Sequence, residues 1–309
     1  MSVEARNGLL DKFRKGDLRA LSRMISLAEN KDAAILALMQ ELYPQAGRAL
    51  VIGLTGTPGA GKSSLTNAFV RFLREEKKTV GVIAVDPVSP FSGGALLGDR
   101  IRLSDHFNDP GVFIRSLSTR GKLGGLSLAT REVVQIADCF GLDCIILETV
   151  GVGQSEVDVR KIADVTLVVL TPEWGDSVQA IKAGLLEIGD IYVVNKADRE
   201  GADRLVSELR NMLDMGARGE NPVLSTSILQ EPTVRALFSE VMRFVGAHRE
   251  LIAKRRGDRG KETVSELLED LVATEARRWV EENVAATGNP YQFIQEFLLA
   301  RPAGSFFRR

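Results

Sequence analysis

Apolar positions fall along the chain in two periods, and the change from one to the other predicts most of the architecture. Near the start they recur at helical spacing. Leu18, Leu21, Ile25 and Ala28 make one stripe, and Ile35, Leu38, Met39 and Leu42 make another, each fit for one face of an amphipathic helix. Asp17 and Asp32 stand where N-caps belong. Residues up to about Ala46 therefore read as a helical extension packed on the main domain. From Val51 onward the pattern becomes short, continuous apolar runs at 51–54, 80–85, 112–115, 144–147, 165–170, 191–194 and 223–224. Runs this short, separated by helical stretches, predict buried strands of a parallel sheet with helices on both faces. The expected fold class is α/β, with a mostly parallel, doubly wound sheet.

From Glu231 the helical period returns. Residues 254–261 are basic and carry two glycines, and they read as a solvated connector. Val264, Leu267, Leu268, Leu271, Val272, Trp279 and Val280 then lie on a long amphipathic helix. Gly288 ends it, and Asn289-Pro290 opens another. The expected organisation is a helical extension over 1–47, an α/β domain over 48–246 and a C-terminal helical arm over 247–309.

The polar residues just after the strand runs carry the chemistry. After the first run comes Gly56-Thr57-Pro58-Gly59-Ala60-Gly61-Lys62-Ser63-Ser64, the full phosphate-loop pattern between a strand and a helix. Its glycines let several backbone N–H groups converge on one anion, and the helix adds the positive end of its dipole. Lys62 is expected to reach the outer phosphates and the Ser63 hydroxyl to ligate Mg²⁺. Asp86 ends the second run. Asp99 closes the turn-rich segment behind it. Carboxylates beyond strand ends in such sheets lie where a nucleotide's metal sits. Glu148 ends the fourth run, with Gly151 three residues on. A glycine N–H there suits a γ-phosphate contact, while the acid reaches the metal or an attacking water. After the sixth run stands Asn195-Lys196-Ala197-Asp198. The Asp198 carboxylate can accept two N–H bonds from the guanine edge, the Lys196 stem can cover the ring, and Asn195 can brace the loop. Together with the phosphate loop this predicts guanine rather than adenine. The glycine-rich stretch 118–125 is weak evidence for a role by itself.

Composition narrows the classes. The chain has 309 residues and a net charge of −1, so no strong basic field favours nucleic acid or anionic membrane. No apolar run is long enough to span a bilayer, and the N-terminus lacks a secretory pattern. Two cysteines, Cys139 and Cys144, fit a reducing cytoplasm. With the two histidines, His106 and His248, they are too few for a zinc or nickel store.

Taken jointly, these motifs resemble the MeaB/ArgK group of P-loop GTPases, chaperones of adenosylcobalamin-dependent methylmalonyl-CoA mutase. To the motifs above the resemblance adds Val85-Asp86-Pro87, Leu97-Gly98-Asp99-Arg100, Ser118-Thr119-Arg120-Gly121, Asp176 and Gly184 with Glu187-Ile188. It implies a fold of the signal-recognition-particle and MinD-like branch, a homodimer through the C-terminal arm, and GTP hydrolysis that gates cobalamin loading of the mutase. By carry-over, Lys62, Glu148 and Asp99 are the catalytic set, and Ser63, Asp86, Asp99 and Glu148 surround Mg²⁺. Asn195, Lys196 and Asp198 read the base, with Ser227 and Ile228 in the last base loop. The family's Asp-Pro-Ser-Ser run is here Asp86-Pro87-Val88-Ser89, and its Thr-Ser-Ala base loop is Thr226-Ser227-Ile228. Two other readings stand beside this one: a P-loop kinase acting on a small molecule, and a metal-delivery GTPase.

Overall fold

The computed structural model describes residues 1–86, 103–118, 128–149, 155–172, 184–216 and 220–283. Three helices open the chain: α1 (Val3–Arg14), α2 (Leu18–Glu29) and α3 (Ala34–Leu42). The Asp17 carboxylate caps α2 through the N–H groups of Arg19 and Ala20, and Asp32 accepts from the Ala34 N–H at the start of α3, 2.8 Å away. The chain then alternates: β1 (Leu50–Gly56), α4 (Lys62–Glu75), β2 (Val80–Asp86), β3 (Val112–Ser118), α5 (Leu128–Cys139), β4 (Cys144–Thr149), α6 (Ser155–Ile162), β5 (Val165–Leu170), β6 (Ile191–Val194), α7 (Ala202–Met215), β7 (Val223–Ser225), α8 (Glu231–Ala247) and α9 (Arg249–Asn283). The seven strands form one sheet in the order β3-β2-β4-β1-β5-β6-β7. Every neighbouring pair is parallel. Each strand predicted from an apolar run is present.

A strand alternates its side chains between two faces, and both faces of this sheet are covered. Ile52, Leu54, Val82, Ile146, Leu167 and Val169 face α4 and α8, whose Phe69, Phe72 and Phe238 fill that layer. The alternate residues Val51, Ile83, Val85, Ile145 and Leu147 face the other side, where α5, α6 and the three N-terminal helices build a second layer around Leu21, Met24, Ile25 and Leu38. Val168, Leu170, Tyr192 and Val194 meet α7 through Leu205, Leu209 and Leu213. Cys139 and Cys144 are free and buried, and desolvation pushes the Cys139 thiol up to about 12.

At the lower edge of the sheet, where the strands begin, three aspartates organise the chain entries. Asp138, on α5, accepts the N–H groups of Gly47, Arg48 and Ala49, which fixes the approach to β1. Asp164 precedes β5 and accepts from the Val51 N–H at 3.0 Å. Asp190 precedes β6 and accepts from the Thr166 N–H at 2.9 Å. Two arginines of α9 close this edge. Arg255 donates both terminal nitrogens to Asp190, at 3.0 and 2.8 Å. Arg256 donates to both carboxylate oxygens of Asp164 and to the Ala49 carbonyl at 2.8 Å. Such forked pairs are the strong kind of charge-assisted hydrogen bond.

Residues 254–261 are therefore not the solvated connector that their charge and glycines suggest. They lie inside α9, and the buried carboxylates of Asp190 and Asp164 supply the reason for two of the basic residues, Arg255 and Arg256. The chain divides into two compact units, Met1–Arg256 and Gly257–Arg309. In the second, the described part of α9 exposes Val264, Leu268, Leu271 and Val272. No described helix is long and apolar enough to cross a membrane.

Candidate functional site

The site residues gather beyond the C-terminal ends of β1, β4, β5 and β6, the edge at which open α/β sheets bind ligands. The loop after β1 depends on two glycines. Gly56 has φ +133° and packs so closely on β5 that a Cβ there would lie 1.9 Å from the Val169 carbonyl oxygen. Gly61 has φ +87° and precedes α4, and a Cβ on it would lie 2.3 Å from Asn195 Nδ2. Lys62 is buried. Its ammonium donates to the carbonyls of Gly56 at 2.7 Å and Thr57 at 2.9 Å, which holds the charge against the loop. Thr57 Oγ1 is buried in the same loop and has no hydrogen-bond partner among the described residues. A buried hydroxyl left this way is costly, and a phosphate oxygen would satisfy it.

Ser63 and Glu148 meet. The Ser63 hydroxyl donates to Glu148 Oε1 at 2.5 Å, and the Thr66 hydroxyl donates to Oε2 at 2.8 Å. Both carboxylate oxygens are thereby aimed from β4 at the first two turns of α4. Register explains the placement: Glu148 lies opposite Leu54 on β1 and Ala84 on β2. A buried serine hydroxyl beside a carboxylate suits a hard divalent cation such as Mg²⁺, which takes oxygen ligands. Thr66 is a residue that the motifs do not single out. It stands one turn beyond Ser63 on the same helix face, and only the fold reveals that it orients the acid. Asp86 ends β2 as expected. Asp99 and Gly151, residues 119–125 and Asp176 lie outside the described residues.

The base-side loops are tied to the phosphate loop. Asn195 donates from Nδ2 to the Ala60 carbonyl at 2.7 Å. Its Oδ1 accepts from the Thr226 hydroxyl at 3.1 Å, and its N–H donates to the Leu170 carbonyl at 2.8 Å. One buried amide thus joins β5, β6, the last base loop and the phosphate loop. Lys196 has φ +57°, a left-handed conformation that costs energy in a residue other than glycine. It is held there by the Ala197 N–H bond to the Thr226 carbonyl and the Thr226 N–H bond to the Val194 carbonyl, both 2.9 Å. The exposed Asp198 carboxylate accepts from the Ser227 hydroxyl. Ser227 is buried, and its N–H donates to the Thr233 hydroxyl at 3.0 Å. Ile228 is half exposed beside it. The structure therefore brings Asn195, Asp198, Ser227 and the phosphate loop into one connected network.

Comparison with known proteins agrees with this geometry. The family model for the methylmalonyl Co-A mutase-associated GTPase MeaB matches residues 21–281. A Pyrococcus horikoshii protein named as a GTPase is 47% identical over 274 residues, covering 86% of this chain and 86% of its own. A Geobacillus kaustophilus protein named fused isobutyryl-CoA mutase is 35% identical over 247 residues, which cover 74% of this chain and 23% of that longer protein. A crystal structure described as an LAO/AO transport system kinase matches with a TM-score of 0.67 and 26% identity, covering 97% of this chain and 98% of that one.

Proposed function

The chain belongs to the MeaB family of methylmalonyl-CoA mutase-associated GTPases, and from that premise we propose that it hydrolyses GTP with Mg²⁺ to chaperone an adenosylcobalamin-dependent acyl-CoA mutase. Methylmalonyl-CoA mutase is the first candidate. In this reading Lys62 and the loop N–H groups hold the phosphates. Ser63, Asp86, Asp99 and Glu148 would hold the cation, which would supply positive charge to neutralise the phosphate oxygens. Glu148, aimed by Thr66, orients the attacking water, and the Gly151 N–H contacts the γ-phosphate. Asp198 accepts the guanine N–H groups, and Lys196 covers the ring. The exposed apolar row Val264, Leu268, Leu271 and Val272 supports a homodimer built through the C-terminal arm. The free, buried thiols suit the cytoplasm.

The observation that carries the partner is the fused isobutyryl-CoA mutase, which holds a segment like this chain in one polypeptide with its name-giving activity. The test is GTP and ATP turnover by the purified protein, alone and with methylmalonyl-CoA mutase from the same source. The proposal expects slow, GTP-selective turnover that rises with the mutase. Turnover indifferent to this mutase would redirect the search to other acyl-CoA mutases. Transfer of labelled phosphate to an acceptor other than water would favour the kinase reading instead.

Base selection gives a separate prediction. Asp198→Asn replaces a double acceptor by a group that donates on one side. GTP affinity is expected to fall about 10- to 100-fold, the scale of a lost hydrogen bond to a charged group. Xanthosine triphosphate, which presents a carbonyl where guanine presents an amino group, is expected to gain. Competition binding with the two nucleotides checks this, and an unchanged preference would remove Asp198 from the base site.

A further inference from the structure

A cavity of about 450 Å³ lies between the phosphate-loop helix and the last base loop. Ser64, in the first turn of α4, lines one part of it, and Ile228, beside the base-reading Ser227, lines another. A nucleotide whose phosphates sit at the first turn of α4 and whose base sits at the loop of Ser227 would have its sugar near this cavity. The wall there carries Asn67 from α4 and Asp105 and His106 from a single 3₁₀ turn, Ser104–His106. Two acids line the cavity, and they differ. Glu231 is already engaged, by Arg71 at 3.2 Å and Arg235 at 2.9 Å. Asp105 makes no side-chain hydrogen bond or ion pair among the described residues, and it is exposed. An ionised carboxylate is acceptor-only and can take two hydroxyl donors at once, which matches a vicinal diol.

We propose that Asp105 is a specificity-determining residue that accepts hydrogen bonds from the 2′- and 3′-hydroxyls of the bound ribose. The inference rests on the guanine-nucleotide reading of the site. It adds a sugar contact from a turn that the phosphate and base motifs do not include. The contact also fastens the chain just after residues 87–102 to the nucleotide itself.

The experiment compares GDP with 2′,3′-dideoxy-GDP by calorimetric titration of the full chain, unaltered and as Asp105→Ala. The unaltered protein is expected to bind GDP about tenfold more tightly, the scale of a charge-assisted hydrogen bond. In Asp105→Ala the two ligands are expected to bind alike, both near the dideoxy value. Asp105 is exposed, so the variant is expected to keep its circular dichroism and melting temperature. Equal binding of both ligands by the unaltered protein would overturn the proposal. A preference that persists in Asp105→Ala would assign the diol to another residue and overturn it as well. Failure to bind GDP at all would sink the guanine-nucleotide reading, and with it this one.

Discussion

Replacing Lys62 by alanine is expected to lower GTP turnover by about 10²- to 10³-fold, the cost of removing one preorganised donor from developing charge in a transition state. The side chain is buried, and its ammonium is fixed on the carbonyls of Gly56 and Thr57. Its charge therefore sits in a place from which water is largely excluded, where electrostatic effects are strong. Steady-state phosphate release measures the loss, and a thermal melt shows that the fold survives. Turnover within about twofold of the unaltered protein would mean that hydrolysis is centred elsewhere.

Arg256→Ala is expected to act on stability. Asp164 is fully buried, and removing its partner leaves a charge with little compensation. Breaking a buried pair costs about 3–5 kcal/mol. The Arg256 side chain is 30% exposed, so water can reach the gap, and the lower end, about 3 kcal/mol, applies. For a domain of this class that is a fall in melting temperature of roughly 6–12 °C. Arg256→Lys keeps a charge but not the fork, and is expected to fall between. A melting temperature lowered by no more than about 2 °C would show that the other partners of Asp164, the Val51 N–H among them, suffice to hold it.

The sheet was legible because a parallel strand covered on both faces is a short apolar run, as at 144–147 and 165–170. The loop 56–64 and Asn195-Lys196-Ala197-Asp198 stand out in the sequence because a phosphate site and a guanine site would each demand fixed residue types at fixed spacing. The features that escaped depend on partners distant in sequence. Residues 254–261 resemble a connector by composition. The role of two of them, Arg256 and Arg255, comes from Asp164 and Asp190, which the fold brings to them across separations of 92 and 65 residues. Thr66 escaped for a related reason. A threonine on a helix carries no signal until β4 delivers Glu148 to it. Asn195 was expected to brace its own loop. Its bond to Ala60 extends that brace to the phosphate loop, and Gly61 must lack a side chain to make room.

The arginine pair at the base of the sheet bears on how the protein is made. The ribosome delivers the N-terminal helices, all seven strands and α8 before it delivers Arg255 and Arg256. Until those two residues emerge, the chain holds two carboxylates at strand entries without their counter-charges, and burying them there is unfavourable. Domains in nascent chains generally fold as units, N-terminal first. In this chain the last step of that unit waits for the opening turns of α9. A release point placed before residue 255 is expected to yield nascent chains that remain protease-sensitive, and one placed well beyond residue 256 to yield chains that resist.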